Sequence, residues 1–475
     1  MGYNRVVMKL YNTLTRQTEV LELLNAPLAT VYTCGPTVYD YAHVGHWFTY
    51  IRWDLLIRTL KTAGYAPKWV MNITDVGHLV SDADDGEDKL EKGAKREGKT
   101  AWEVAKFYTD DFLHDLRALN ITEPNFLTKA TDHIPEQIEL IQKLEQKGFT
   151  YVIDDGVYYD TSKFEAYANF AKLDLDDLQA GARVAVNTQK RNPTDFALWK
   201  FSPKNNAHTR DMEWDSPWGK GFPGWHIECS AMAMKYLGET IDLHAGGIDH
   251  IPVHHTNEIA QSEAATGKRF SNYWLHSNHV TVNGEKISKS LGNGIRLADI
   301  EARGISPEAF RLHVFESHYR SQSKFSWESL EAANNRLAAY QATADWQWQA
   351  NDSGTVQKHT IEAARHSILE ALENDLDTPT VLAALSKLET AINGSGINTD
   401  SQVVFVDFLE WLDNALGLHL SGRPDISDEQ KQLIHEREEA RQHQDWALSD
   451  NLREQLKLQG ITIKDQANTT VWSRV

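Results

Sequence analysis

Cysteine is scarce in this chain, which has only two cysteines among 475 residues, Cys34 and Cys229. So few cysteines exclude the disulfide framework of a small secreted domain. Long apolar runs are also missing, because no window approaches the roughly 18 consecutive apolar residues that a membrane span needs. Residues 1–16 contain no apolar core followed by a small-residue cleavage site. We therefore expect a soluble, cytoplasmic protein with no membrane partner.

Positive charge is in deficit as well. Lys and Arg total 48 against 67 Asp and Glu, which leaves a formal net charge of −19. Such a chain repels a polyanion unless its basic residues gather on one face. The other proportions, 41% hydrophobic and 24% charged residues, are those of a globular protein. The length is enough for about three or four domains.

The first part of the chain has the pattern of a nucleotide-type fold. Strand composition at 29–33 is followed by a turn at Gly35-Pro36, a helical period at 44–63 and a second strand at 68–73. Strand, helix and strand in this order predict a right-handed parallel unit, and ligands bind at the carboxyl edge of such sheets. The predicted fold class is α/β, with a Rossmann-like parallel sheet.

The remaining chain alternates between inserted and helical segments. Helical periods and a hairpin at 151–159 indicate an insertion, a helix starting near Ser230 and a strand at 240–244 return to the sheet, and residues after 326 are almost wholly helical. The predicted segments are the first half of the Rossmann-like domain (1–120), a connective insertion (121–200), the second half of that domain (201–275), a lysine-loop region (276–325), a helical bundle (326–420) and a small terminal unit (421–475).

Two histidines flank a Val-Gly pair at 43–46, where the first predicted helix begins. Imidazoles three residues apart share a helical face, and the amino end of the helix directs backbone N–H groups at a bound ligand. An anionic phosphate suits this position. A metal-binding pair, or a capped helix with incidental histidines, is the competing interpretation of His43 and His46.

A lysine-rich motif, K-I-S-K-S, occupies residues 286–290 and precedes L-G-N-G at 291–294. The ammonium groups of Lys286 and Lys289, on a loop rich in Ser and Gly, can move onto a polyphosphate. Alone, such a motif is more typical of a solvated lysine loop. Together with H-x-G-H on a nucleotide-type sheet, it indicates a polyphosphate site.

Four potential metal ligands come from separate parts of the sequence. Cys34 ends the first strand, Cys229 lies in G-W-H-I-E-C-S, and His254 precedes Glu258 by one helical turn. Two thiolates, an imidazole and a carboxylate form a suitable tetrahedral zinc set. The i, i+4 spacing puts His254 and Glu258 on one helical face, whereas only the fold can bring the cysteines to them. Two buried structural cysteines beside a polar helix are the alternative.

The order of the two signatures resembles that of the class I aminoacyl-tRNA synthetases, H-I-G-H followed by K-M-S-K-S. Only the apolar second residue of each signature differs here, as Val44 and Ile287. Within this class, C-G-P-T-V-Y-D at 34–40 and G-W-H-I-E-C-S at 224–230 are similar to the cysteinyl-tRNA synthetases. The similarity extends over essentially the whole chain and includes Q-A-G-A-R-V at 179–184.

The resemblance implies an ATP-dependent ligase that forms cysteinyl-adenylate from L-cysteine and then charges tRNA(Cys). It implies one zinc ion per chain, bound by Cys34, Cys229, His254 and Glu258, which selects the thiolate of cysteine over the hydroxyl of serine. Mg²⁺ is expected with ATP. A monomer is expected, with a terminal unit at 421–475 that binds the anticodon.

The resemblance also assigns single residues. The catalytic set is His43, His46, Lys286 and Lys289. The expected substrate contacts are His43, His46, Asp249 and Lys289 for ATP, with Asp249 meeting the ribose, and Gly35, Thr74 and Trp225 for cysteine. In the terminal unit we expect Trp472 to belong to the core.

Some features depart from the family pattern. Thr256 stands where the family usually has a glutamate, residues 76–86 add an acidic stretch that we interpret as a solvated loop, and residues 465–472 lack the glycine expected near their turn. Two other functions stay open at this point. One is a ligase that joins cysteine to an amino sugar through the same adenylate, and the other is a non-catalytic RNA- or zinc-binding relative.

Overall fold

The computed structural model describes residues 7–77, 88–173, 187–202, 210–287, 291–465 and 470–474. Lys289, residues 78–86 of the acidic stretch and the Q-A-G-A-R-V segment lie outside the described residues. The chain divides into two compact units. The first comprises Met1–Gly304, Ser317–Ser326 and Glu373–Leu376, and the second comprises Ile305–Glu316, Trp327–Leu372 and Asp377–Val475.

The first unit contains both strands and helices. Its strands are β1 (Lys9–Asn12), β2 (Gln17–Val20), β3 (Leu28–Thr33), β4 (Ala66–Ile73), β5 (Phe126–Lys129), β6 (Thr150–Ile153), β7 (Gly156–Tyr159), β8 (Phe196–Phe201), β9 (Gly221–Pro223), β10 (Ile241–Gly247), β11 (Ser271–Ser277), β12 (Val280–Val282), β13 (Glu285–Lys286) and β14 (Ser323–Phe325). Its helices are α1 (Val44–Thr62), α2 (Lys89–Glu97), α3 (Ala101–Ala118), α4 (Ile134–Gln146), α5 (Trp225–Leu237), α6 (Thr256–Thr266) and α7 (Leu297–Glu301).

A five-stranded parallel sheet forms the centre of the first unit, with strand order β11-β10-β3-β4-β5. The predicted α/β class with a Rossmann-like sheet is therefore confirmed. Strand β5 belongs to this sheet although it lies within the segment 121–200 that was assigned to the insertion. A second sheet, β6-β7-β8-β9, is antiparallel and begins with the predicted hairpin, and its strand β9 lies beyond residue 200. The finer division into six segments stays a prediction.

Helix α1 begins after His43 and is buried on most of its surface. Trp47, Ile51 and Trp53 have no exposed area. A helix that is apolar around most of its circumference is typical of the centre of a domain, and burial of each large side chain contributes roughly 1.5–3 kcal/mol. The helix ends at Thr62, and Gly64 follows with a φ of 86°, which favours glycine.

Helix α5 begins at Trp225, not near Ser230 as predicted. The residues before it have a loop-like composition, but Gly224 is the N-cap with an extended backbone. A Cβ on Gly224 would lie 2.0 Å from the carbonyl oxygen of Ala197 in β8, so only glycine allows the helix to start this close to the strand. The earlier start places Cys229 inside the helix.

The two cysteines lie in one hydrophobic cluster of the first unit. Cys34 and Cys229 pack there with Tyr32 of β3, Met232 of α5 and Trp274 of β11. These residues come from the parallel sheet and from helix α5. The cluster therefore puts both thiols between that sheet and a covering helix, next to the carboxyl end of β3.

The second unit is predominantly helical. Its elements are α8 (Pro307–Phe315), α9 (Trp327–Ala344), α10 (Lys358–Glu373), α11 (Thr378–Ser395), α12 (Gln402–Leu416), α13 (Asp428–Gln442), α14 (Trp446–Leu458), β15 (Ile461–Asp465) and β16 (Thr470–Arg474). None of the helices in the described part of the chain is long and apolar enough to cross a bilayer.

A small hydrophobic core closes the end of the second unit. Trp472 is 6% exposed and packs with Ile426, Leu456 and Ile461, so the prediction that it belongs to the core is confirmed. The backbone N–H of Trp472 also donates to Oε1 of Gln349 at 2.8 Å. This contact fastens β16 to the helical part of the same unit.

Candidate active site and metal centre

The candidate site lies at the carboxyl edge of the parallel sheet. The chain passes from β3 to β4 on one side and from β10 to β11 on the other. Such a reversal marks the position where open α/β sheets bind ligands. Cys34 follows β3 at this position, and Gly246-Gly247 ends β10 just before Asp249.

A cavity of about 900 Å³ is present at this edge. It is lined by most of the residues that the sequence predicts for the site, which are Cys34, Gly35, His43, His46, Trp225, Cys229, Asp249, His254 and Lys286. Thr74 and Glu258 are buried and are not among the lining residues. Lys289 lies outside the described residues, so its position stays a prediction. The roles of all these residues also stay predictions.

The two histidines of the H-x-G-H signature are adjacent, but they do not share a helical face as predicted. His43 is the N-cap with an extended backbone, and only His46 is helical. The N–H of Gly45 donates to Nδ1 of His43 and the N–H of His43 donates to Nδ1 of His46, each at 3.1 Å. The rings stack with centroids 3.9 Å apart. His43 stays outside the helix as its N-cap, because its ring nitrogen accepts a hydrogen bond from one of the first backbone N–H groups.

This cap also sets the chemical character of both rings. A ring nitrogen that accepts a hydrogen bond carries no proton, so a neutral His43 or His46 has its proton on Nε2. Each ring is then a donor at Nε2. Donors at the amino end of α1 suit an anionic ligand, because the helix dipole is positive at that end.

The segment around the lysine motif contacts the start of α1. The N–H of Val44 donates to the carbonyl oxygen of Ile295 at 2.8 Å. A Cβ on Gly45 would lie 3.0 Å from Cδ1 of Ile287, which is closer than most real contacts of this kind. The two signatures, remote in sequence, therefore meet. Lys286 is exposed in β13 and lines the same cavity.

The four predicted metal ligands come together. The candidate ligand atoms of Cys34, Cys229, His254 and Glu258 all lie within 4.8 Å of one another, and all four residues are buried. The i, i+4 contact is present, with Nε2 of His254 at 3.6 Å from Oε1 of Glu258. His254 lies in a π-helical turn, Ile251–His255, that leads into α6.

The chemistry of these four residues fits a bound metal cation. Glu258 is fully buried, and neither of its carboxylate oxygens makes a hydrogen bond with a described residue. Nε2 of His244 lies 3.0 Å from one of these oxygens but does not have hydrogen-bond alignment. Burial raises the pKa of the Cys34 and Cys229 thiols, so thiolates at this position require a neighbouring cation. A divalent ion would satisfy the carboxylate and both sulfurs.

Sequence analysis missed two histidines beside this set. Cys34, His244, His255 and Glu258 form a second buried group whose ligand atoms also lie within 4.8 Å of one another. Nε2 of His255 lies 3.3 Å from Sγ of Cys34, and its Nδ1 lies 2.8 Å from Nε2 of His276. Burial lowers the pKa of His255 well below its usual range. The signal in the sequence was the H-H pair at 254–255.

Trp225 and Gly35 give the cavity its shape beside the metal set. The Trp225 indole stacks on the imidazole of His254, with ring centroids 4.4 Å apart. The N–H of Gly35 donates to Oδ1 of Asn72 at 2.7 Å. A Cβ on Gly35 would lie 1.7 Å from the carbonyl oxygen of Asn72, so no other residue fits at this point.

Thr74 belongs to a buried hydrogen-bond chain next to Gly35. Nδ2 of Asn72 donates to Oγ1 of Thr74 at 3.0 Å, and this hydroxyl donates to Oε2 of Glu228 at 3.0 Å. Glu228 is fully buried. Thr74 is therefore connected to the cavity through Asn72, and a direct contact between Thr74 and cysteine stays a prediction.

Comparison with known proteins defines the class of this fold and site. Residues 20–335 match the family model described as "tRNA synthetases class I (C) catalytic domain". Among solved structures, a methionyl-tRNA synthetase of Mycobacterium tuberculosis in complex with methionyl-adenylate is similar, with a TM-score of 0.59, 14% identity, and coverage of 82% of this chain and 92% of that chain. At this identity the likeness establishes the fold. This is the fold of a class I aminoacyl-tRNA synthetase, a ligase.

Sequence relatives then identify the family. Residues 423–472 match the family model "Cysteinyl-tRNA ligase anticodon binding domain". A cysteine–tRNA ligase of Treponema denticola is 44% identical over 98% of this chain and 100% of its own length, and cysteine–tRNA ligase 1 of Burkholderia lata is 45% identical over 96% and 95%. The chain belongs to the cysteinyl-tRNA synthetase family. The resemblance stated from the sequence motifs is confirmed.

Proposed function

We propose that this protein activates L-cysteine with ATP and transfers it to tRNA(Cys). The observation that carries the proposal is a single cavity lined both by the H-x-G-H histidines and by Cys34, Cys229 and His254. A phosphate site and a sulfur-rich metal site in one cavity correspond to the two groups that must meet, the α-phosphate of ATP and the amino acid.

The amino-acid end of the cavity is formed by the metal set and its neighbours. Cys34, Cys229, His254 and Glu258 would hold one Zn²⁺ ion. When bound, zinc stabilises the thiolate of cysteine, whereas the hydroxyl of serine is a much weaker ligand. Trp225, stacked on His254, limits the side chain that can enter. A pocket that separates a thiol from a hydroxyl by size alone could not supply selectivity of about ten-thousandfold.

The phosphate end is formed by the start of α1 and the lysine motif. His43 and His46 donate from Nε2 to phosphate oxygens, and the dipole of α1 adds to their effect. Lys286 and Lys289 neutralise the charge that develops on the leaving pyrophosphate. Asp249 accepts hydrogen bonds from the ribose hydroxyls. Mg²⁺ accompanies ATP, as in other phosphoryl-transfer sites, without an assigned carboxylate of this chain.

The reaction has two steps. The carboxylate of cysteine attacks the α-phosphorus of ATP, which forms cysteinyl-adenylate and releases pyrophosphate. A hydroxyl of the terminal adenosine of the tRNA then attacks the activated carbonyl and releases AMP. The residues of this chain position the reactants and stabilise charge, and they form no covalent intermediate.

The terminal domain argues for tRNA as the acceptor of the cysteinyl group. An amino-sugar ligase has no use for a domain of the anticodon-binding family, which this chain matches at 423–472. We propose further that the chain works as a monomer in the cytoplasm, with the six segments predicted from the sequence as its functional divisions. Sedimentation of the purified protein with and without tRNA tests whether the protein is a monomer.

The test of this function is ATP–pyrophosphate exchange with each of the standard amino acids, followed by charging of tRNA transcripts. Exchange that depends on cysteine, with serine at background, and cysteine transfer to tRNA(Cys) are expected. Exchange with another amino acid, or cysteine-dependent exchange without transfer to any tRNA, would contradict the proposal.

A further inference from the structure

Arg52 is a buried cation in the middle of α1 that has no part in the roles described above. Its side chain is 2% exposed. Among the residues that the structure describes, no carboxylate lies within ion-pair distance of its guanidinium, and burial alone lowers the pKa of Arg52 to about 9. It is therefore still a cation at neutral pH. A buried charge without an ion-pair partner is costly unless its donors are hydrogen-bonded.

The guanidinium of Arg52 binds neutral oxygen atoms of two separate segments. Nη1 donates to Oγ of Ser277 at 2.8 Å and to the carbonyl oxygen of Asn278 at 3.3 Å. Nη2 donates to Oγ of Ser317 at 3.2 Å and to Oγ of Ser323 at 2.6 Å. A planar fork with donors on both sides can hold two segments in a fixed relation, which an ammonium group cannot do in the same way.

The two segments form the base of the small sheet that carries Lys286. Ser323 is the first residue of β14 and lies opposite Val280 of β12. Strand β12 pairs in turn with β13, where Thr281 lies opposite Lys286. Ser277 and Asn278 themselves line the cavity. One side chain on α1 is therefore bonded to the cavity wall and to the sheet behind the lysine motif.

We propose that Arg52 is a positioning residue for adenylate formation. It fastens the small sheet that carries Lys286 to the helix that begins with the H-x-G-H signature, so that the two phosphate-binding groups keep their relative position. Arg52 acts through Ser277 and Ser323 and does not contact substrate. This inference rests on the proposed function, because it assigns Arg52 to the first step of that reaction.

The test is Arg52→Met in the full chain, which removes the donors and keeps much of the volume. Tm should fall, because the buried oxygens of Ser277 and Ser323 and the carbonyl oxygen of Asn278 lose their donor, so kcat is measured on the folded protein well below the Tm of the variant. The kcat of cysteine-dependent exchange should fall at least tenfold, since a shift of about 1 Å in a catalytic group can cost on the order of 10²-fold. KM for cysteine should stay within twofold, because none of the four hydrogen bonds of Arg52 is to a residue of the proposed cysteine pocket. A fall in kcat of less than tenfold in the folded variant would overturn the inference.

Arg58→Met is the matched control on the same helix. Arg58 forms an ion pair with the fully buried Asp54 at 2.7 Å, and its Nη2 donates to the carbonyl oxygen of Asn120, between α3 and β5, at 2.7 Å. Arg58→Met should lower Tm but leave the kcat of the folded protein within twofold of wild type, whereas Arg52→Met should lose kcat at least tenfold. An equal loss of kcat in both variants would make the effect a general one of α1 and overturn the inference.

Two further measurements keep the outcome interpretable. If Arg52→Met does not fold, the same assays are made on Arg52→Lys. Its kcat should also fall at least tenfold, because an ammonium group keeps the charge but cannot bond to both the Ser277 segment and the Ser323 segment. Wild-type protein supplies the baseline. Absence of cysteine-dependent exchange in wild type would contradict the proposed function, whereas normal exchange in wild type and in the Arg52 variant would contradict only the inference on Arg52.

Discussion

A methyl group added at Gly35 tests the close approach between the ends of β3 and β4. The Cβ of an alanine would lie 1.7 Å from the carbonyl oxygen of Asn72 and 2.9 Å from its carbonyl carbon. Contacts below 3.0 Å essentially never occur for a real Cβ, so the two strand ends would have to separate by more than 1 Å. The contacted atoms of Asn72 belong to its backbone, so they cannot rotate away as the end of a flexible side chain could.

The expected effect follows from that displacement. Overpacking of a buried site typically costs about 1–3 kcal/mol of unfolding free energy. A shift of about 1 Å at the cavity wall, next to Cys34, should reduce kcat/KM for cysteine on the order of 10²-fold, which is about 2.7 kcal/mol of transition-state stabilisation. Gly35→Ala should therefore lose cysteine-dependent exchange far beyond its loss of folded protein. The assays are exchange kinetics and thermal unfolding of the same preparation.

Gly394→Ala provides the control. Gly394 lies in α11, has no neighbouring heavy atom within 4 Å of an added Cβ, and should gain up to about 1 kcal/mol from the higher helix propensity of alanine. Near-normal kcat/KM in a folded Gly35→Ala protein would refute the reasoning, because it would mean that the wall beside Cys34 tolerates the displacement.

Three other predictions concern the metal, the lysine motif and the terminal domain. Cys229→Ser should lower zinc content from about one per chain and weaken cysteine activation together, because an alcohol is a poor zinc ligand; elemental analysis that finds no zinc in active wild-type protein would contradict this. Lys289→Ala should reduce exchange by about two orders of magnitude with Tm unchanged, and near-normal exchange would remove its role. A chain that ends at Ser421 should still activate cysteine but charge tRNA poorly, and equal charging by both lengths would argue against an anticodon role. Because this truncation removes Arg423 and Arg474 from the fully buried Asp345, it is best made together with Asp345→Asn.

The sequence predicted the α/β sheet because its signals are local. The period of α1 and the strand at 68–73 depend on residues that are neighbours along the chain, and the structure has α1 at Val44–Thr62 and β4 at Ala66–Ile73. The start of α5 was wrong for a reason that is not local. Gly224 looks like a loop residue, but it is an N-cap because the backbone of Ala197 leaves no space for a side chain.

The histidine signature also shows which features are local in sequence and which depend on the folded contacts. Its residue types predict a phosphate-binding helix start, but a period of 3.6 residues cannot show that His43 is the N-cap and lies outside the helix. That depends on which acceptor takes the N–H of Gly45, and the ring of His43 does so. The prediction of a shared helical face was wrong, although the two rings stack with centroids 3.9 Å apart.

The sequence motifs by themselves identified the class and the family of this protein, and they predicted the four residues of the metal set. Residue types at fixed spacing carry that information, because the chemistry needs those groups in any fold. Only the tertiary structure decided that the thiols of Cys34 and Cys229 come within 4.8 Å of Glu258, that His244 and His255 share the same buried space, and that Arg52 joins α1 to the sheet of Lys286. The physical reason is that these contacts link segments up to 271 residues apart, and their distances depend on how the sheet and its covering helices pack.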